Sequence, residues 1–364
     1  MSEEPGPYRP LDEPQGSRPA EMPSDYDMND SEEDFRRWPN LAPVLRDCRA
    51  TIGMAYHEAD SAAMRYQARH RWVVLVAAVC GMLAVLFAIT QLYFWALQEP
   101  LMEYGKLLVW AEIVAAVVAV VAIVLGLRAA FSKKWLLERQ KAEGYRLLKF
   151  RFLTSRELWS GATSRERRDR LRAQMESLEA LDEEALERWA KGEDEVLEKV
   201  SPRAPAGVDK PELTDLIDYY QEKRLNYQRK YCDRQAERRN LWERLTKVAP
   251  LSLFFLSILA ALGHFVYDLW TGTHGQPVSL TLIMLAACLP VVGVAIRTLR
   301  MAHEFGRNAL RFRATSNELE QLARELRTKS TPWERLEVLY VVEEVLEVER
   351  REWLRLMMEA EWFG

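Results

Sequence analysis

The run LLVWAEIVAAVVAVVAIVLGL at 107–127 places one carboxylate, Glu112, inside an apolar stretch long enough to cross a bilayer. A carboxylate in that setting has two uses. It faces water inside a bundle and handles ions, or it lies near the surface and reaches the headgroups. Depth bears on the choice. Counted from the cytoplasmic ends assigned below, Glu112 lies about 5–8 Å inside the outer boundary of its span, at about 1.5 Å per residue. Other polar side chains share that level: Thr90 and Gln91 in the first apolar run, His264 in the third, Ser279 and Thr281 in the fourth. If they meet in a bundle they line a water-filled vestibule, in which an acidic ring favours cations. A Glu112–His264 pair would make such a path sensitive to pH. The plainer alternative is an interfacial glutamate, and both stay open at this point.

Other chemistry is sparse. No Walker-type glycine loop, Gly-x-Ser-x-Gly, His-Glu-x-x-His or dinucleotide fingerprint occurs, so neither an enzyme nor a cofactor is expected. The four cysteines, Cys48, Cys80, Cys232 and Cys288, are far apart and lack metal-ligand spacing, as do the scattered histidines. The basic run RERRDRLR at 165–172 is interleaved with acids and lacks aromatics. It reads as a solvated helix face before an anionic-lipid contact, and no nucleic-acid partner is expected.

The elements that must position these groups follow from hydropathy. The net charge of -4 averages over strong segregation. Residues 1–34 carry eleven acidic and two basic side chains with many prolines, which predicts a disordered acidic tail over 1–37. Four apolar runs, 72–95, 107–128, 248–270 and 278–296, approach or exceed the roughly 20 residues that span hydrocarbon. Their basic flanks set the orientation. Arg65, Arg69 and Arg71 precede the first run, and Arg128, Lys133 and Lys134 follow the second. Arg238, Arg239, Arg244 and Lys247 precede the third, and Arg297, Arg300, Arg307 and Arg311 follow the fourth. The connections QEPLMEYGK and TGTHGQPV hold one lysine between them. Both termini and the central segment are therefore expected in the cytoplasm of a cell (inner) membrane protein.

The fold class expected is all-α: two transmembrane hairpins with long cytoplasmic helices in a coiled-coil-like bundle. Small residues recur at Ala77, Gly81, Ala84 and Ala88, and at Ala111, Ala115, Ala119, Ala122 and Gly126, as close helix packing within a hairpin or between subunits requires. A first unit over 38–160 is followed by a charged connector and linker over 161–211, and by a second unit over 212–364. The second span is expected to continue as a helix over 130–158. Ser164 is placed as the cap of the next helix, which breaks near Leu181-Asp182 before the linker SPRAPAGVDKP at 201–211. Helices are also expected from Glu212 into the third span, over 298–328, and over 333–362 after Pro332. The halves share an order of pre-span helix, hairpin and basic post-span helix, a pattern consistent with duplication.

FGRNALRFRATSNELEQLARELRTKS at 305–330, followed by VLYVVEEVLEVERREWLRL at 338–356, resembles the cytoplasmic half of the SLATT (SMODS- and SLOG-associating) two-transmembrane effector domains. The terminal Glu-x-x-x-Trp of that family corresponds to Glu349 and Trp353. YHEADSAAMRYQARHRW and WLLERQKAEGYRLLKFRFL around the first hairpin resemble a second such unit. The resemblance covers roughly 41–160 and 212–355, and departs from the usual single hairpin. It implies a membrane effector of a bacterial anti-phage or conflict system, forming pores or disrupting the bilayer. It also implies a homo-oligomer among membrane lipids, with a nucleotide-sensing or nucleotidyltransferase companion as trigger. It carries no catalytic residues. For Glu349 the chemistry itself predicts a carboxylate that pairs with a base or caps a neighbouring helix, and for Trp353 a packing anchor. The other function open to such a chain is a non-conducting membrane-anchored scaffold or regulator whose cytoplasmic helices bind a partner.

Overall fold

A computed structural model describes residues 25–97, 102–155, 163–193, 211–272, 276–303 and 305–359. Residues 1–24 of the acidic segment and 201–210 of the expected linker lie outside them. Every regular element among the described residues is a helix. The order is α1 (Glu32–Arg37), α2 (Ala42–Ala96), α3 (Met102–Ala129), α4 (Phe131–Thr154), α5 (Ser164–Glu179) and α6 (Glu183–Lys191). Then come α7 (Pro211–Tyr220), a π-helical turn (Gln221–Asn226), α8 (Tyr227–Thr271), α9 (Pro277–His303), α10 (Phe305–Thr328) and α11 (Pro332–Glu359).

Four helical segments are long and apolar enough to cross a membrane: Ala42–Ala96, Tyr104–Ala129, Pro211–Thr271 and Pro277–Thr328. They contain the four predicted runs. The packing forms two hairpins, α2 on α3 and α8 on α9, which meet where α2 touches α9. Ala115, Ala119 and Ala122 are buried, whereas Val114, Val117, Val121 and Leu125 of the same helix are exposed. These three alanines of the second stripe therefore serve packing within the protomer, whereas Gly81 of the first stripe faces open space, and the branched residues form an outer apolar surface. Leu251, Phe255, Ile258 and Leu262 continue that surface on α8. A patch of this extent is what a lipid-facing belt requires.

The rest of the chain forms a helical head with one joined core. Leu45 and Ile52 of α2, Leu148 and Phe150 of α4, Leu216 of α7, Leu319 of α10 and Leu339 of α11 belong to a single buried cluster. A second cluster sets Trp189 of α6 against Trp135 of α4 and Leu354 of α11. Both clusters draw on both halves of the sequence.

Local signals end most helices where expected. Asp182 caps α6 through Ala185 N–H, at the predicted break. The cap before α5 is Thr163, in a reciprocal box with Glu166, one residue ahead of the predicted Ser164. Ser164 instead donates its hydroxyl to Asp47 of α2. The expected continuous helix out of the second span is broken at Ala130, which takes a left-handed conformation at φ 48°. The turn separates α3 from α4 and lets α4 fold back along α2.

The largest departure is the acidic segment. From Asp25 onward it is part of the head. Asp27, Asp30 and Asp34 are buried, and α1 is capped by a Ser31–Asp34 box. Charge composition predicted disorder because it counts only local repulsion. Here the carboxylates are neutralised by cations from distant helices.

Candidate functional site

The polar level near the ends of the candidate spans farther from the head is the first candidate. Thr90 Oγ1 donates to the Leu86 carbonyl at 2.8 Å, an internal helix bond. Gln91, next to it, is 9% exposed, and its Oε1 has no hydrogen-bond partner. Thr281 Oγ1 lies 2.7 Å from the Pro277 carbonyl and 2.9 Å from the Tyr93 hydroxyl, which ties α9 to α2 across the two hairpins. Ser279 is 0% exposed, and its Oγ lies 2.7 Å from His264 Nδ1. His264 Nε2 is 3.8 Å from Asp268 Oδ2, one turn along α8.

The structure thus places three of the six predicted groups in two pairwise contacts, Ser279–His264 and Thr281–Tyr93, and packs Thr90 against its own helix. It does not join Glu112 to His264. Glu112 is half-buried, one turn beyond Ala115 on the packing stripe, and makes no hydrogen bond or ion pair among the described residues. His264 is engaged by α9 and by its own helix. Tyr93 and Asp268 complete the layer and escaped sequence reading; Asp268 was visible as the i+4 neighbour of His264. The Ser279–His264–Asp268 order resembles a nucleophile triad only in residue types. Ser279 is closed off between helices, which removes the access that a nucleophile needs.

The second candidate lies in the head, beside the ends of the candidate spans that join it. A cavity of about 640 Å³ is bounded by α2, α4, the π turn, α8, α10 and α11. Eight arginines line it, against four carboxylates, together with seven aromatic side chains. Several of the arginines are paired. Arg139 donates to Asp60 at 3.0 Å, and Arg146 donates to Glu143 at 2.8 Å and to the Tyr56 hydroxyl at 2.6 Å. Arg224, held in the π turn, reaches Glu343 through two bonds of 2.9 Å and Asp27 at 3.0 Å. Glu349 accepts from Arg311 Nε at 3.0 Å, and Trp353 packs edge-on to Trp135 at 6.0 Å. The two residues of the terminal motif therefore form part of the cavity wall.

Electrostatics here are set by burial. Burial alone would raise the Glu143 carboxyl, but Arg139 and Arg146 reverse this and hold it at about 2. For Glu349 burial prevails over Arg311, and its carboxyl is pushed up. Burial lowers Arg350 to about 10, against the pull of Glu347 and Glu143. Arg239 is also lowered, by burial and by the neighbouring Arg311, Arg71 and Arg238. Sequence reading took Arg238, Arg239 and Arg311 only as the positive flanks of spans. That five helices and a π turn would bring them together was not readable from any one segment.

Among the described residues no three histidine, cysteine, aspartate or glutamate side chains group as metal ligands. Residues 55–167 match a family described as "Protein of unknown function (DUF4231)". The match runs from α2 through the first hairpin and α4 into the start of α5. No curated protein and no solved structure matches the chain.

Proposed function

We propose that this chain is a multi-pass membrane effector of the SLATT kind, with a cytoplasmic head that controls two hairpins capable of breaching the bilayer as an oligomer. The observation that carries this reading is the continuity of α2. Its 55 residues run without a break from the buried core of the head to the end of the first candidate span. A long rigid helix transmits displacement, so a rearrangement of the head must move the membrane part. The polar layer supplies groups that an assembled path needs, with Glu112 as an unpaired carboxylate on the hairpin face. Orientation follows from the basic flanks, and conflict-system biology follows from the resemblance alone.

The test is purified protein reconstituted in liposomes loaded with a self-quenched dye and a potential-sensitive dye, alongside expression in cells carrying the latter. Release or depolarisation by the active oligomer is expected, and intact barriers at good expression remove the pore reading. Glu112→Gln is expected to change cation preference; unchanged selectivity removes Glu112 from the path.

One observation favours a second reading, the non-conducting scaffold. Within a protomer Ser279 and His264, and Thr281 and Tyr93, satisfy each other, which is how a closed anchor would be built. Replacing the spans by unrelated hydrophobic hairpins separates the two. A scaffold keeps its cellular activity under that exchange, and an effector loses it.

A further inference from the structure

The head cavity has a feature that its paired arginines do not account for. Nε and Nη1 of Arg350, Nε of Arg239 and Nη1 of Arg311 are buried without a hydrogen-bond partner. Buried guanidinium N–H groups left unmatched are costly, and native proteins seldom leave several beside one cavity without something to receive them. Ordered water can accept such bonds. It cannot offset charge, and the eight arginines of the wall exceed its four carboxylates, together with Asp27 and Glu343 behind Arg146 and Arg224, by two. An anion does both.

The arginines are also held in place. Arg239 lies over the Phe312 ring at 5.1 Å, with Arg311 on the same ring at 5.7 Å. Arg350 lies over Trp189 at 4.8 Å. An aromatic face keeps a guanidinium flat with its edge open to phosphate oxygens; Arg311 gives its Nε and Nη2 edge to Glu349 and keeps Nη1. Arg239 and Arg311 share one ring and make one locus; Arg350, on α11, makes another. The cavity volume falls within the usual range for small-molecule sites, roughly 300–1,000 Å³, and exceeds what a single phosphate fills.

We propose that this cavity binds a ligand carrying two or more phosphate groups, with Arg239 and Arg311 receiving one and Arg350 another. Such chemistry belongs to a soluble diphosphate or nucleotide, and to phosphate-rich lipid headgroups at the nearby bilayer surface. Bound there, the ligand links α8 and α10 to α11. The site is independent of whether the spans conduct, because its occupancy is read without any bilayer breach.

The experiment uses the full chain, in detergent and in phosphatidylcholine nanodiscs with or without phosphatidylglycerol or cardiolipin. Thermal unfolding and calorimetric titration are followed with inorganic pyrophosphate and with ATP. A saturable rise in Tm with pyrophosphate or ATP assigns a soluble ligand. A rise only with the anionic lipids assigns a headgroup, and either result upholds the proposal. Arg239→Gln and Arg350→Met are each expected to weaken binding at least tenfold, while Arg313→Gln, an exposed α10 control outside the cavity, leaves it unchanged. Arg350→Met is further expected not to lower the ligand-free Tm, since it removes a charge that burial penalises. The proposal is overturned if no probe gives a saturable shift. It is overturned equally if Arg313→Gln weakens binding as much as Arg239→Gln, or if Arg350→Met lowers Tm while binding stays intact.

Discussion

At the residue scale, the head depends on a few buried charges that cannot lose a partner cheaply. Glu343 is 0% exposed and takes both Arg224 bonds together with the Tyr220 hydroxyl. Its replacement by alanine leaves a buried guanidinium with only Asp27, and is expected to cost about 3–5 kcal/mol, the usual result of breaking one side of a buried pair. Chemical unfolding of the purified protein measures it; a loss below about 1 kcal/mol is the surface-pair range and would show that Arg224 is already solvated. The same network sets acid sensitivity. The Glu143 carboxyl falls from its ordinary 4.5 to about 2 on folding. Burial opposes ionisation of Asp34, but the hydrogen bonds from Lys223 and Ser31 hold its carboxyl below the ordinary value. An unfolded chain then binds more protons than the folded one in this range, so stability falls as pH falls. The contribution of Glu143 is present above about pH 4.5 and is lost as pH drops toward 2. Unfolding followed by circular dichroism from pH 6 downward checks the sign, and Glu143→Gln flattens the slope. The pairs of Glu343 with Arg224 and of Asp34 with Lys223 were not legible in the sequence, because each joins separate elements, whereas Arg139 and Arg146 are the i−4 and i+3 neighbours of Glu143 on α4.

At the element scale, much was legible. Apolar runs of sufficient length gave the four candidate spans, Asp182 gave the break before α6, and Pro332 gave the start of α11, where its missing N–H is no loss. These signals are local, so they survive without tertiary knowledge. The break at Ala130 was not legible, because nothing in RAAFSKK marks a left-handed residue. Tertiary packing of α4 against α2 imposes it. A non-glycine residue in that conformation carries about 1–2 kcal/mol of steric cost, which glycine avoids. Ala130→Gly is therefore expected to raise Tm, whereas Ala130→Val, with a branched side chain at the same φ, lowers it. If glycine destabilises the protein, the steric relief at position 130 is outweighed by the backbone freedom that glycine adds to the unfolded chain. The π turn before α8 is similarly silent in sequence. It redirects Lys223 and Arg224 inward, to Asp34 and to Asp27 and Glu343.

At the scale of the whole molecule, the acidic segment acts as a clamp between the halves. Asp27 alone contacts Arg146 of α4 at 3.2 Å and Arg224 of the π turn at 3.0 Å. Asp30 takes Lys149 of α4 at 2.8 Å and the Tyr219 hydroxyl of α7 at 2.6 Å, and Asp34 takes Lys223 at 2.8 Å. Four cations from both sides of the chain are neutralised by three carboxylates within one short stretch. Removing residues 1–37 leaves Lys149 and Lys223 buried without their carboxylates, takes Asp27 from Arg146 and Arg224, which keep Glu143 and Glu343, and removes Phe35 from the central core. Breaking one buried pair costs about 3–5 kcal/mol, and a folded domain holds only about 5–15 kcal/mol in total. The chain beginning at Trp38 is therefore expected not to form a cooperative head, while the chain beginning at Asp25 keeps every described pair and unfolds like the full protein. Thermal unfolding and limited proteolysis of the two truncations decide it. A Trp38 chain with the Tm of the Asp25 chain would mean that Arg146, Arg224, Lys149 and Lys223 find water once the segment leaves. The acidic stretch would then be a removable strap over the head instead of part of its core.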